Sequence, residues 1–216
     1  MKRQRLEFKK YYENIGKNFV ADSWIATHSP INTAKLHALG LVQFYWVGCE
    51  NELLGLFSAI SDWSERETWI MLHDQGDIGI INKLKEIMNI RNIPDDYSKL
   101  IQQALQAYDI CRINRNNLTH FTIVAGKENI DGDSLRLHRT SRKAGSMFGT
   151  EMEDDLWNIR VVANDIRKLR KQLIGLWMYE FRRKKENSTA ITPKEMRLPR
   201  NISKNHIKSG NSKKIK

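Results

Sequence analysis

Apolar positions recur at helical spacing through five stretches of this chain, and polar breaks separate them. After Pro30, the pair Asn32-Thr33 starts a long helix that runs through about Ser61. On it Leu36, Leu39, Phe44, Val47, Leu54 and Phe57 are not confined to one face, and Trp46, Leu53 and Leu56 widen the apolar surface. A helix apolar on most sides belongs in the middle of a bundle or in a dimer interface. Ser64-Glu65-Arg66-Glu67 is a capping-box match, in which serine and glutamate satisfy backbone N–H groups that a helix start leaves unpaired. It predicts a turn over 62–64 and a fresh helix from Glu65. Asp74, Gly76, Asp77 and Gly79 interrupt the pattern before Ile80 to Ile90 resumes it, and Pro94 with Asp95-Asp96 opens the next helix. There Tyr97, Ile101, Ala104, Tyr108 and Cys111 step by four and three, the spacing of one buried face. Thr150 to Glu153 is a second capping box and predicts the start of the last helix. Along that helix Ile159, Val162, Ile166, Leu169, Leu173 and Leu176 form the seam of a helix packed nearly parallel or antiparallel to others.

The remaining segments are less regular. Residues 2–17 form a charged lead-in with a narrow stripe of Phe8, Tyr11, Tyr12 and Ile15, and 20–30 reads as a connection. Phe121 to Ala125 is short, apolar and β-branched, which fits a strand or a helix start equally. Asp131-Gly132-Asp133 is a turn signal, Leu135 to Arg142 alternates apolar and polar in part, and Ser146 to Thr150 is its expected partner. Past Arg182 the aromatic and aliphatic content collapses in favour of Ser, Asn, Lys, Pro and Gly, so order is expected to end there. The predicted fold is all-α: an antiparallel helical bundle over 1–181, with a small β-hairpin or irregular insertion at about 121–149 and a disordered basic tail over 182–216.

Charge sharpens that division. Of the net +11 carried by 216 residues, +10 falls in 182–216, which holds 12 Lys/Arg against Glu186 and Glu195. The body is therefore nearly neutral. A cationic block of this kind binds polyanions through sequence-independent, salt-sensitive contacts, and Arg182, Arg183, Lys184 and Lys185 are its leading candidates for nucleic-acid contact. The opening MKRQRLEFKK lacks the apolar core of a signal peptide, and polar residues interrupt the most apolar region, Leu36 to Ile60. A cytoplasmic protein with no membrane span is expected. Cys49 and Cys111 lack a paired-cysteine pattern and read as buried reduced thiols. There is no Gly-rich phosphate loop, zinc signature or nucleophile elbow. Glu151, Glu153, Asp154 and Asp155 read as acids complementing a helix dipole rather than as metal ligands. No metal and no cofactor are expected.

What remains is acid/base chemistry by histidine and arginine. The next two places on the Tyr97–Cys111 stripe are Arg115 and Leu118, so an arginine arrives where an apolar residue is expected. Its guanidinium must reach a carboxylate, a phosphate or a water-filled cleft. His120 follows five residues on, about 140° round an ideal helix. Asn114, Asn116 and Asn117 favour helix ends, and a break among them would let both heads converge. Arginine suits stabilisation of a charged phosphorane, and histidine, with an ordinary pKa near 6.5, suits proton transfer to or from ribose oxygens.

Arg115-Asn116-Asn117-Leu118-Thr119-His120 resembles the R-N-x-x-x-H form of the motif of HEPN domains. The looser pattern of Arg, four to six residues, then His also occurs at Arg66–His73 and Arg200–His206, but only Arg115–His120 ends an amphipathic core helix. The resemblance implies a four-helix core over about 32–179 and a metal-independent endoribonuclease, a toxin or defence effector acting on RNA. It also implies a homodimer in which two motifs face each other, and an antitoxin as a possible partner. It assigns Arg115 to the scissile phosphate, His120 to proton transfer and Asn116 to orienting the site or holding the turn. Phe121 departs from the small residue that many members carry after the histidine. The alternative from the residues alone is a non-catalytic helical interaction or nucleic-acid-binding module, with Arg115 in a structural ion pair and His120 capping a helix.

Overall fold

The computed structural model describes residues 33–119, 122–123, 134–143, 146–186 and 193–202, and of the strand residues only the backbone. Five helices make the body: α1 (Thr33–Ser61), α2 (Glu65–Leu72), α3 (Asp77–Ile90), α4 (Asp95–Thr119) and α5 (Leu156–Glu186). The protein is an all-α bundle. Among the described residues no helix is long and apolar enough to cross a membrane.

Hydrogen bonds between helices fix their directions. Cys49 Sγ donates to the Ile166 carbonyl at 3.4 Å, Glu52 accepts from Arg170 Nη2 at 3.2 Å, and Lys184 Nζ reaches the Ala59 carbonyl at 2.5 Å. The partners advance together, so α1 and α5 run parallel. Trp177 Nε1 completes their clasp by donating to Glu52 at 3.0 Å. By contrast, Tyr97 donates to the Leu176 carbonyl at 2.8 Å, while Asn114, further along α4, lies near the start of α5. Thus α4 runs antiparallel to α1 and α5, as short connections and a long insertion require.

The predicted seam of α5 is buried throughout: Ile159, Val162, Ile166, Leu169, Leu173 and Leu176 are at most 1 % exposed. On α1 the buried face is Ala38, Val42, Trp46, Cys49, Leu53, Leu56 and Ile60, stepping by four and three. Phe44 and Val47 instead stand 64 % and 54 % exposed, so only part of the apolar surface read from the sequence faces inward. Gly48 permits the close approach of α1 and α5. A Cβ there would stand 2.6 Å from Arg170 Nε, on the path that arginine takes to Glu52.

Helix boundaries follow local chemistry. Asp62, at φ 63°, ends α1 in the left-handed region, and its carboxylate pairs with Arg91 at 3.1 Å and with Lys184. The Ser64 capping box forms as predicted: Ser64 Oγ accepts from Glu67 N at 3.2 Å, and Glu67 accepts from Ser64 N at 2.7 Å.

Three expectations are corrected. Helix α4 does not break at its asparagines but continues through them to Thr119. Buried Asn114 finds partners outside its own helix, and Asn116 bonds the side chain of Arg115, so neither competes for the helix backbone. The second capping box does not open α5. Strand Ser146–Asp155 pairs antiparallel with Ser134–Lys143, Ser134 opposite Asp155, and this ladder occupies the backbone groups a cap would have used. With Thr122–Ile123 (β1), Ser134–Lys143 (β2) and Ser146–Asp155 (β3) form a sheet in the order β1-β2-β3. Finally, order does not end at 182. Helix α5 continues to Glu186, and residues 193–202 pack on the bundle with Ile202 only 2 % exposed. Residues 203–216 lie outside the described residues.

Candidate nucleic-acid site around Arg115

Arg115 sits in the last turns of α4, half-buried against the first half of α1. The Tyr97–Cys111 stripe carries it toward the core, where the Trp46 indole already occupies the space. Its guanidinium lies over that ring, 5.7 Å from the centroid. Nε donates to Gln43 Oε1 at 3.3 Å and Nη1 to Asn116 Oδ1 at 2.8 Å. Both acceptors are neutral. Among the described residues no carboxylate makes an ion pair with Arg115, so the structural ion pair of the alternative reading is not formed there.

A second layer lies beneath it. Trp46 Nε1 donates to Glu50 at 2.6 Å, and the Trp46 and Tyr108 rings pack at 4.8 Å between centroids. Burial raises the pKa of Glu50. The Trp46 hydrogen bond opposes that rise, nearby Asp77 adds to it, and Arg115 opposes it. Burial, followed by the charges of Asp77 and Glu50, also pushes the Tyr108 hydroxyl up. Glu50 and Asp77, with the protonated Tyr108 hydroxyl, thus lie together in a partly desolvated layer beneath the arginine. Sequence reasoning missed Gln43 and Glu50, two polar residues on an apolar helix; their place on the α1 face toward α4 was the only signal.

Asn116 is beside Arg115 as the motif implies, and it bonds the guanidinium. His120 lies outside the described residues, immediately after the last residue of α4. The other two Arg-to-His pairs do not resemble this setting. Arg66 and His73 belong to α2 and its cap, where His73 stacks on Trp69 at 5.0 Å. Arg200 lies on the packed segment 193–202, and His206 lies outside the described residues.

Three of the four predicted cations at the end of α5 have internal engagements. Arg183 grips Glu180 through bonds of 2.9 and 2.7 Å, and this pair raises the Arg183 pKa. Lys184 bonds Asp62 and the Ala59 carbonyl, tying α5 to the end of α1. Lys185 lies over the Phe181 ring at 5.0 Å. Arg182 is exposed. Among the described residues no cluster of three or more His, Cys, Asp or Glu has the arrangement of a metal site. Compared with known proteins, the chain matches no family model, no curated protein and no solved structure.

Proposed function

We propose that this chain is a metal-independent endoribonuclease of HEPN type, a cytoplasmic toxin or defence effector. Arg115 stabilises the scissile phosphate, Asn116 orients its guanidinium, and His120 moves protons. One observation supports this most: a half-buried guanidinium is held by neutral acceptors and an aromatic face, with no carboxylate paired to it among the described residues. A phosphate is the partner that such a cation lacks, and its oxygens match the planar donor fork. The polar side chains pre-orient the fork without neutralising it, as electrostatic stabilisation of a developing charge requires. In this reading the protein works as a homodimer, with Leu36, Phe44 and Val47 of α1, beside Gln43, against a second copy. An antitoxin would act by covering the same arginine.

The second reading, a non-catalytic nucleic-acid-binding module, draws on the unbroken course of α4 through Asn117, which removes the turn expected to swing the two heads together. RNA cleavage in EDTA separates the two. Wild-type chain should cleave, while Arg115→Ala and His120→Ala should lose at least a hundredfold in rate with unchanged melting temperature. Equal inactivity of all three, with RNA binding retained, would leave only the binding module. A truncation used to test the tail should end at Ile202, because a cut near 181 also removes a buried side chain from the core.

A further inference from the structure

Among the described residues, 193–202 carry a periodicity found in neither the helices nor the strands. Pro193, Met196, Pro199 and Ile202 are the positions turned toward the bundle, with Pro199 and Ile202 buried. Lys194, Arg197 and Arg200 are exposed. A repeat of three, with prolines at two of four inward positions, suits an extended chain of polyproline type and not a helix or a sheet strand. Its backbone is held where it crosses α5 and α4. Gln172 Nε2 donates to the Lys194 carbonyl at 3.0 Å, and Asp165 accepts from the Arg200 N–H. Asn114 then clamps the end from both sides: its Nδ2 donates to the Arg200 carbonyl at 2.7 Å, and its Oδ1 accepts from Ile202 N at 3.1 Å. Asn114 immediately precedes Arg115. Residues 193–202 form a strap across α5 and α4 that leads to the same turn of α4 that carries the candidate site.

We infer that Lys194, Arg197 and Arg200 form a fixed cationic row that binds the phosphate backbone of a single RNA strand and guides it toward Arg115. All three are exposed, and none is held in an ion pair among the described residues, unlike Arg183 and Lys184. At about 3.1 Å per residue, successive cations of the row stand roughly 9 Å apart. The row is anchored along its length through main-chain atoms, so its side chains are left for a ligand. A backbone-tracking row of this kind is sequence-tolerant and salt-sensitive. The RNA identity of the strand rests on the nuclease reading; the row itself does not.

The test is binding of a fluorescent 12-nucleotide single-stranded RNA, 2′-O-methylated so that it cannot be cleaved, to the full chain, followed by anisotropy across a salt series. Wild type is compared with Lys194→Ala/Arg197→Ala/Arg200→Ala and with a control of equal charge loss at exposed sites elsewhere, Arg66→Ala/Lys85→Ala/Lys99→Ala. The row variant should bind at least tenfold more weakly, and its slope of log K against log salt should fall by about 2, near 0.7 per lost single-strand phosphate contact. The control should stay close to wild type. Equal loss in both triples, or an unchanged slope in the row variant, overturns the row. Cleavage is scored separately: a chain that never cleaves but loses binding in the row variant sinks the nuclease and keeps the row, whereas active chain with an unchanged slope does the reverse.

Discussion

Arg115 was legible as an anomaly because a strict four-three stripe delivers it to a position where the preceding residues are apolar. Its partners were not legible, since Gln43 is 72 positions away and nothing local marks it as the acceptor of Nε. Glu50 shows the same limit and offers a test. Its folded pKa is raised from the ordinary 4.5, chiefly by burial, so the ionised form is disfavoured in the folded state. The folded chain then holds this proton more tightly than the unfolded chain. The stability linked to Glu50 is present below the ordinary value and is lost as pH rises through the raised one. Glu50→Gln, which keeps an acceptor for Trp46 Nε1, should raise the urea midpoint at pH 7 and leave it unchanged near pH 4. A lower midpoint at pH 7 would mean that the Trp46 hydrogen bond to the carboxylate and the attraction to Arg115 together outweigh the burial cost. The cysteines give a second test at this scale. Both are buried, and burial pushes Cys49 up to about 12 and Cys111 well above its ordinary value. A disulfide-exchange reagent at pH 8 should titrate neither thiol in the native chain and both in denaturant.

At the scale of elements, signals confined to a few adjacent residues were reliable when nothing else claimed the same backbone. The Ser64 box had no competitor and formed; the Thr150 box competed with a strand ladder and did not. Ser64→Ala should cost about 1 kcal/mol and fray α2, read as a lower denaturation midpoint with faster amide exchange over 65–68. The strap was illegible for a different reason. Its composition of Pro, Lys and Arg matches that of disordered tails, and periods of 3.6 and 2 pass over a period of three. Burial of Ile202 and the Asn114 clamp depend on the groove that α4 and α5 make together, which no local window contains. Asn114→Ala leaves the Ile202 N–H and the Arg200 carbonyl without their partner, a loss of about 1–3 kcal/mol. Limited proteolysis should then cut within 194–201, well before the bundle itself is attacked. Unchanged resistance there would mean that Pro199 and Ile202 hold the strap by packing alone.

For the whole molecule, the bundle was predictable because α5 has an uninterrupted seam and α1 has apolar residues to spare. The sequence did not reveal which apolar residues of α1 face inward, since two overlapping stripes satisfy helical spacing. Packing chose Ala38, Val42, Trp46 and Cys49, leaving Leu36, Phe44 and Val47 on a neighbouring face with exposures of 36 %, 64 % and 54 %. Gly40 lies between Leu36 and Phe44 on that face, so a second helix can approach closely there. The face adjoins Gln43, and in the proposed homodimer a second copy seated on it would bring two Arg115 turns toward one dyad, the arrangement that a two-motif nuclease needs. Val47→Glu and Phe44→Glu replace exposed side chains, so the monomer's melting temperature should change by no more than a few degrees. Sedimentation velocity should show wild type as a dimer and the double variant as a monomer, with RNA cleavage falling alongside dimerisation. A wild-type monomer that cleaves RNA at full rate would separate catalysis from this face and leave each chain to supply its own site.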